Sequence, residues 1–348
     1  MSEMNPKRRK LVRTAAAAGG ISTMAGLGLG LGFGSAARAQ TAGLTPFKVG
    51  LSALANTCLA IWMADEAGFY KAQGLDLSLQ KMAGGAQSGP QLKSGAIQAM
   101  HIGSSSVVRA NAGGYDLRTV ASLRNTLSFT LFAKAGVKTP SDLKGGTIGV
   151  SSFGSESDAT LGMVLARIGL TRQDVTVKEL GIDPKRLAAL EAGAISATML
   201  NEPSRSHALA MGMNPIVDPL ADHTPWVFTG LVVDEAYLKS RRPLLIAFLK
   251  ATLEGNYLSL TDAARGKAVL AKQLNLSDPK IIDLAYDDFR KLSPVDIEVS
   301  RAGTENIIAQ VAKGGASRNP DDYIDLSLMQ AIRDEGYMDA LRKKYKLA

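Results

Sequence analysis

The chain carries the same pattern twice. Gly50-Leu51-Ser52 returns 99 positions later as Gly149-Val150-Ser151, and Leu92-Lys93-Ser94-Gly95-Ala96-Ile97-Gln98-Ala99 returns 98 positions later as Leu190-Glu191-Ala192-Gly193-Ala194-Ile195-Ser196-Ala197. Between them, Gly74-Leu75 recurs as Gly169-Leu170 at an offset of 95. Each match alone is at chance level, but three landmarks at nearly constant spacing predict two units built alike. In the first unit residues 47–51 form a short apolar run, a helical stretch follows over 57–70, and Leu75-Asp76-Leu77-Ser78-Leu79 alternates like a half-buried strand. A loop containing Gly84, Gly85 and Gly89 leads to Pro90, expected at the first position of a short helix. In the second unit residues 147–150 form the strand and Ser155 opens a helix. Leu161, Val164, Leu165 and Ile168 share one apolar face of that helix before Gly169 stops it.

Strands that alternate with helices predict parallel sheets flanked by helices, so the expected fold is α/β with two small lobes. From about residue 238 onward the chain is mostly helical, with Pro243, Pro279, Pro294 and Pro320 as punctuation. Those helices are expected to pack on the lobes rather than to form a further functional domain.

The N-terminus alters how the charge is understood. Lys7-Arg8-Arg9-Lys10 precedes an Ala-, Gly- and Leu-rich stretch over 14–37, and Ala37-Arg38-Ala39 offers a small-x-small cleavage site before Gln40. Basic, apolar, then A-x-A is the layout of an export signal, and the twin arginine points to the twin-arginine route. Recurrent glycine makes the apolar stretch mild, which suits such a signal better than a permanent span, with an uncleaved anchor as the alternative. No cysteine follows the cleavage site, so a lipid anchor is not indicated. The formal charge of +8 falls to +3 for residues 40–348, which hold 34 basic and 31 acidic residues. No basic stripe remains, which argues against a nucleic-acid partner. Gly28-x-Gly30-x-Gly32 lies inside the signal and is no dinucleotide fingerprint. One cysteine, Cys58, and three histidines leave no disulfide framework and no multi-cysteine or histidine-rich metal centre, and no cofactor is expected.

In two α/β lobes the C-terminal ends of the strands are natural ligand positions, and a cleft between lobes makes a closing pocket. Those ends are rich in hydroxyls: Ser52 with Asn56 and Thr57, then Ser104, Ser105 and Ser106, then Ser151, Ser152, Phe153 and Ser155. Hydroxyls and free amides at helix starts suit reversible recognition of a small polar ligand. Any one serine could simply cap a helix, as Ser155-x-x-Asp158 does in a capping box. Clustering at three strand ends raises the group above that alternative.

These features resemble the periplasmic substrate-binding proteins of the nitrate/sulfonate/taurine type, related to the thiamine-pyrimidine-precursor binders. The resemblance is carried by Glu66-Ala67-Gly68-Phe69-Tyr70 with Gly74-Leu75, by Leu92-x-x-Gly95-x-Ile97, and by Asp142-Leu143-Lys144-Gly145-Gly146-Thr147-Ile148-Gly149-Val150. Glu202-Pro203, Pro225-Trp226-Val227-Phe228-Thr229-Gly230 and Phe248-Leu249-Lys250-Ala251 complete it, over roughly residues 47–260. Gln98 and Ser196 stand where many relatives carry Asp. The resemblance implies a type II-like binding protein with two crossover strands, captured ligand delivered to an ABC permease and its ATPase, and a monomer. It implies crossovers near 128–133 and 226–233, and hence a signal over 1–39, lobe 1 over 40–127, lobe 2 over 128–228 and a return over 229–348. Arg124, Asn125 and Thr229 would then border the cleft, with Asn201 and Glu202 approaching from the second lobe. Arg124 could equally be a pairing partner and Glu202 a helix-start carboxylate.

On ligand charge the residues disagree. Helix N-termini and hydroxyls favour an anionic or oxygen-rich ligand, such as a sulfonate or carboxylate, whereas Glu156, Asp158 and Glu202 favour an amine-bearing heterocycle. The balance tips to the anion. Trp226, Phe228 and Phe153 could stack on a planar ligand or belong to the core. Enzyme chemistry has little support: Gly154-Ser155-Glu156-Ser157 is not the Gly-x-Ser-x-Gly elbow, and Cys58 has no adjacent His. The expected function is a solute-binding receptor, not an enzyme. The alternatives are an exported hydrolase or a receptor that presents its ligand to a sensor kinase.

Overall fold

A computed structural model describes residues 43–82, 84–314 and 316–347; the expected export signal over 1–39 lies outside them. Among the described residues are strands β1 (Thr45–Leu51), β2 (Leu75–Lys81), β3 (Ala99–Ile102), β4 (Leu117–Thr126) and β5 (Thr130–Ala133). They continue with β6 (Thr147–Val150), β7 (Thr176–Glu179), β8 (Ala197–Leu200), β9 (Asn214–Val217) and β10 (Pro225–Asp234). Two five-stranded sheets result, in the orders β2-β1-β3-β10-β4 and β7-β6-β8-β5-β9.

The duplication in the sequence is the duplication in the sheets. Gly50-Leu51 ends β1 and Gly149-Val150 ends β6; each is the strand flanked by two parallel neighbours, β2 and β3 in one sheet, β7 and β8 in the other. The repeated Leu-x-x-Gly-Ala-Ile run leads into β3 in the first case and β8 in the second. The fourth strand of each sheet is antiparallel and is supplied through a crossover: β5 follows β4 out of the first sheet, and β10 follows β9 back. The crossovers run side by side, with the Leu127 amide donating to the Thr224 carbonyl at 3.2 Å.

The chain re-enters the first sheet at Pro225, opposite Thr126 of β4, so the boundary expected at 228/229 falls inside β10. Asn306, on the helix Arg301–Val311, donates to the Pro225 carbonyl at 2.9 Å and fixes the start of that strand. The helix expected over 57–70 is two helices, Leu59–Glu66 and Phe69–Ala72, because Gly68 takes a left-handed φ of +76° between them. Pro90 occupies the third position of the helix Ser88–Lys93, since the 3-10 turn Gly85–Gln87 runs directly into it.

The helices after β10 cover the first sheet. Phe47, Val49 and Leu51 of β1 share one apolar core with Phe248, Tyr257, Phe289, Leu328 and Met338. The outer core of the second sheet is smaller and holds Phe132, Leu190, Ile195, Leu200 and Ala208. The first lobe is thus the heavier, better-buttressed body. No helix among the described residues is long and apolar enough to cross a membrane.

Candidate ligand-binding site

β1, β3, β6 and β8 are followed directly by Ser52, Gly103, Ser151 and Asn201, and all four residues line one cavity between the sheets, about 50 Å³ in volume. Parallel strands that point the same way bring their C-terminal ends together, which is why two lobes of this topology face each other across residues distant in sequence. The polar side chains around the cavity fall into two sets. Ser52, Thr57 and Thr229 from the first lobe and Asn201 from the second line it, and none of these side chains hydrogen-bonds to another described residue. The rest are engaged. Ser151 donates to Ser155 at 2.8 Å, and Arg186 contacts Thr198 at 3.2 Å, the Met199 carbonyl at 2.9 Å, the Gly181 carbonyl and the Asp183 carboxylate. Asp183 in turn accepts from the Asn201 amide at 3.1 Å.

Glu156 crosses the gap. It opens the helix Glu156–Arg167 of the second lobe, yet its carboxylate accepts from the first lobe: the Ser105 amide at 3.1 Å, the Ser105 hydroxyl at 3.0 Å and the Trp226 indole N–H. Ser105 lies in the first turn of the helix Ser104–Ala112, where free amides favour negative charge. Gly103 makes the approach possible, because a Cβ there would sit 2.1 Å from the carboxylate oxygen. Burial pushes the Glu156 carboxyl up to about 7, although its donors and nearby Arg109 pull the other way. At the rim Arg109 reaches Asp158 of the second lobe at 3.1 Å, and Asp158 also accepts from Arg172. Buried His101 lines the cavity, and loss of solvation holds its imidazole down at about 4, neutral at ordinary pH.

These two lobes, their crossovers and the intervening cavity have close parallels. Residues 56–262, more than half of the chain, match the family described as NMT1/THI5 like. The chain belongs to that family. Riboflavin-binding protein RibY of Chloroflexus aurantiacus is 27% identical over 208 residues, covering 56% of this chain and 56% of RibY, so the match spans little more than half of that relative. A Bordetella bronchiseptica RB50 protein of known structure superposes with a TM-score of 0.73 at 20% identity, over 84% of this chain and 98% of its own. The alkanesulfonate-binding protein SsuA of Xanthomonas axonopodis pv. citri, solved with MOPS bound, gives a TM-score of 0.64 at 20% identity, over 78% and 96%.

In this NMT1/THI5 like chain, five of the residues singled out in the sequence, Ser52, Thr57, Ser155, Asn201 and Thr229, line the cavity. The other expected site residues sit elsewhere, each for a local reason. Asn56 turns its amide away to the Ala285 carbonyl and Asp288. Ser104 meets Thr119 of its own lobe at 3.2 Å, and Ser105 is taken up by Glu156. Ser152 is half-buried, with its hydroxyl enclosed beside Gly84 and without a partner among the described residues. Phe153 is 52% exposed outside the cavity. Glu202 accepts from Ser206 of the helix that follows it at 3.0 Å, and Trp226 is buried behind Glu156. Ser155 lines the cavity and also caps its helix by accepting from the Asp158 amide. Phe228, a stacking candidate in the sequence, does line the cavity, whereas sequence reasoning does not reach His101, Phe129, Asp183 and Arg186 as wall residues. It weighed Glu156 only as a charge. Nothing local marks Asp183 and Arg186, since Asp183-Pro184 looks like any helix start.

Proposed function

We propose that this chain is the receptor of an ABC-type importer, an exported protein that captures a small polar solute between its lobes and hands it to a permease and ATPase. The observation that carries the reading is the set of uncommitted side chains, Ser52, Thr57 and Thr229 on one lobe and Asn201 on the other, around a cavity that both lobes must close to complete. A ligand that touches both lobes stabilises the closed arrangement over the open one, which is what a receptor that signals occupancy requires. The names of the relatives, riboflavin-binding and alkanesulfonate-binding, point to organic solutes of that kind. Under this reading the lobes comprise residues 43–127 with 225–347, and 128–224. The N-terminal signal leaves by the twin-arginine route, is cleaved after Ala39 and delivers a monomer to the periplasm. The work is binding and closure without chemistry.

A cavity of about 50 Å³ admits a solute of drug-like dimensions only when the lobes part. The test is thermal unfolding of the purified protein against sulfonates, carboxylates, nitrate, riboflavin and amino-pyrimidines, with the solute recovered afterwards. A ligand at about 100 times its dissociation constant stabilises the fold by about 2.7 kcal/mol. Asn201→Ala is expected to weaken that ligand by about 1–3 kcal/mol, the cost of losing a buried hydrogen-bond partner. Unchanged affinity in Asn201→Ala would remove the second lobe's amide from the site, and turnover of the solute would replace receptor by enzyme.

A further inference from the structure

The walls of the cavity offer no uncommitted cation among the described residues. Arg186 is surrounded by the Asp183 carboxylate and the Gly181 and Met199 carbonyls, so its charge is already balanced. His101 is buried and neutral. The donors best placed for an anion, the Ser105 amide and hydroxyl and the Trp226 indole, already hold a carboxylate that belongs to the protein. Gly103 is closed over by that same carboxylate. The uncommitted groups that remain, three hydroxyls and an amide, both donate and accept.

We propose that Glu156 sets the charge of the ligand: seated on Ser105 and Trp226, its carboxylate makes the cleft accept neutral or cationic hydrogen-bond donors and turn away sulfonates and carboxylates. This rests on the receptor reading above and reverses the sequence's tilt toward an anion. The reversal comes from an atom-level fact the sequence conceals, namely that the anion-favouring helix start is occupied from the opposite lobe. The groups that face Glu156 or share its cavity are Arg109 and Ser105 on the helix Ser104–Ala112, Trp226 on β10, Asp158 on its own helix, and His101, Asp183 and Arg186 in the walls. Arg109 is held by Asp158 at 3.1 Å and offers an incoming anion little uncompensated charge.

The experiment compares wild type with Glu156→Gln in thermal unfolding at about pH 8, where the carboxylate of a group near 7 is ionised. The probes are 1-propanesulfonate and benzoate as anions, and riboflavin and 4-aminopyrimidine as uncharged donors. Wild type is expected to respond to an uncharged donor and not to the anions. Glu156→Gln is expected to gain about tenfold or more in affinity for propanesulfonate relative to wild type. Equal propanesulfonate affinity in the two proteins overturns the proposal. Should Glu156→Gln fail to fold, wild type carries the test alone: lowering the pH from about 8 to about 6 should raise propanesulfonate affinity as Glu156 takes up its proton, and a flat affinity overturns the proposal. A protein that binds a solute with no charge preference sinks this inference and leaves the receptor standing. A protein that responds to no solute in either form sinks the receptor as well.

Discussion

Glu156 and Glu202 are both buried carboxylates of the second lobe, each follows a strand of that lobe's sheet, and burial pushes each carboxyl upward from its ordinary value. Their partners differ. Glu202 accepts from the Ser206 amide at 3.3 Å and the Ser206 hydroxyl at 3.0 Å, four residues along its own chain. Glu156 accepts only across the gap, from Ser105 and Trp226 of the first lobe. Residue type and burial are shared, so the difference isolates one variable: whether the carboxylate's hydrogen bonds survive if the lobes separate. Glu202's do. Glu156's do not, which makes it the acid whose state is tied to closure.

The largest expected effect comes from cutting the Glu156 side of this pair. Trp226 is 1% exposed, and Trp226→Ala should cost about 3–5 kcal/mol from the lost packing alone. Trp226→Phe keeps most of that packing and removes the indole donor, for about 1.5–3 kcal/mol as a hydrogen bond to a charged group. The matching cut at Glu202, Ser206→Ala, should cost about 1 kcal/mol and leave ligand affinity untouched. Urea unfolding measures all three. A Phe variant as stable as wild type would show that the indole contact does not hold the carboxylate.

The pH response sharpens the comparison further. Glu156 rises from 4.5 to about 7 on folding, so it contributes stability that is full below the unfolded value and is lost as pH climbs through 7, by roughly 3 kcal/mol over that window. His101 moves oppositely, from 6.5 to about 4; its contribution is full above 6.5 and is lost as pH falls through 4, again by roughly 3 kcal/mol. Between about pH 4.5 and 6.5 the two slopes oppose each other. Removing one should expose the other: Glu156→Gln should become steadily more stable as pH rises through that interval, relative to wild type. Glu202 shifts in the same direction as Glu156 and is present in both proteins, so it drops out of the difference. Parallel stability–pH curves for wild type and Glu156→Gln would break the assignment.

The sequence disclosed the frame far better than the chemistry. Gly50-Leu51 and Gly149-Val150 revealed two equivalent strands because a repeated backbone need leaves a repeated residue pattern, and the hydroxyls at strand ends followed from parallel topology. The crossover strand expected at 226–233 matches β10 closely, and only the lobe boundary drawn at 228/229 falls inside it, because Trp226-Val227-Phe228 is equally apolar on either side of a crossover. Ser104, Asn56 and Phe153 lie off the cavity because one turn of helix or loop decides whether a side chain faces the cavity, its own sheet or solvent. For Glu156 the sequence offers a charge but not its partners. Its donors lie 51 and 70 positions away, a separation at which no local spacing shows that a helix-start acid has crossed to another lobe.

The smallest expected effect tests whether Glu156 acts alone in joining the lobes. Arg109 and Asp158 also pair across the gap at 3.1 Å, but the Arg109 side chain is 38% exposed, and Asp158 retains Arg172 and the Gly154 amide when Arg109 is removed. Exposed pairs of this kind contribute about 0.2–1 kcal/mol, and solvent and salt screen them. Arg109→Ala should therefore shift urea stability by less than about 1 kcal/mol, with the difference shrinking further in about 1 M salt. The lobes in Arg109→Ala should still close, as read by small-angle scattering with ligand, because the buried contact between Glu156 and Ser105 persists. A loss larger than that of Trp226→Phe would move the interlobe latch from the cavity floor to its rim, and the contrast between Glu156 and Glu202 would then concern ligand charge rather than closure.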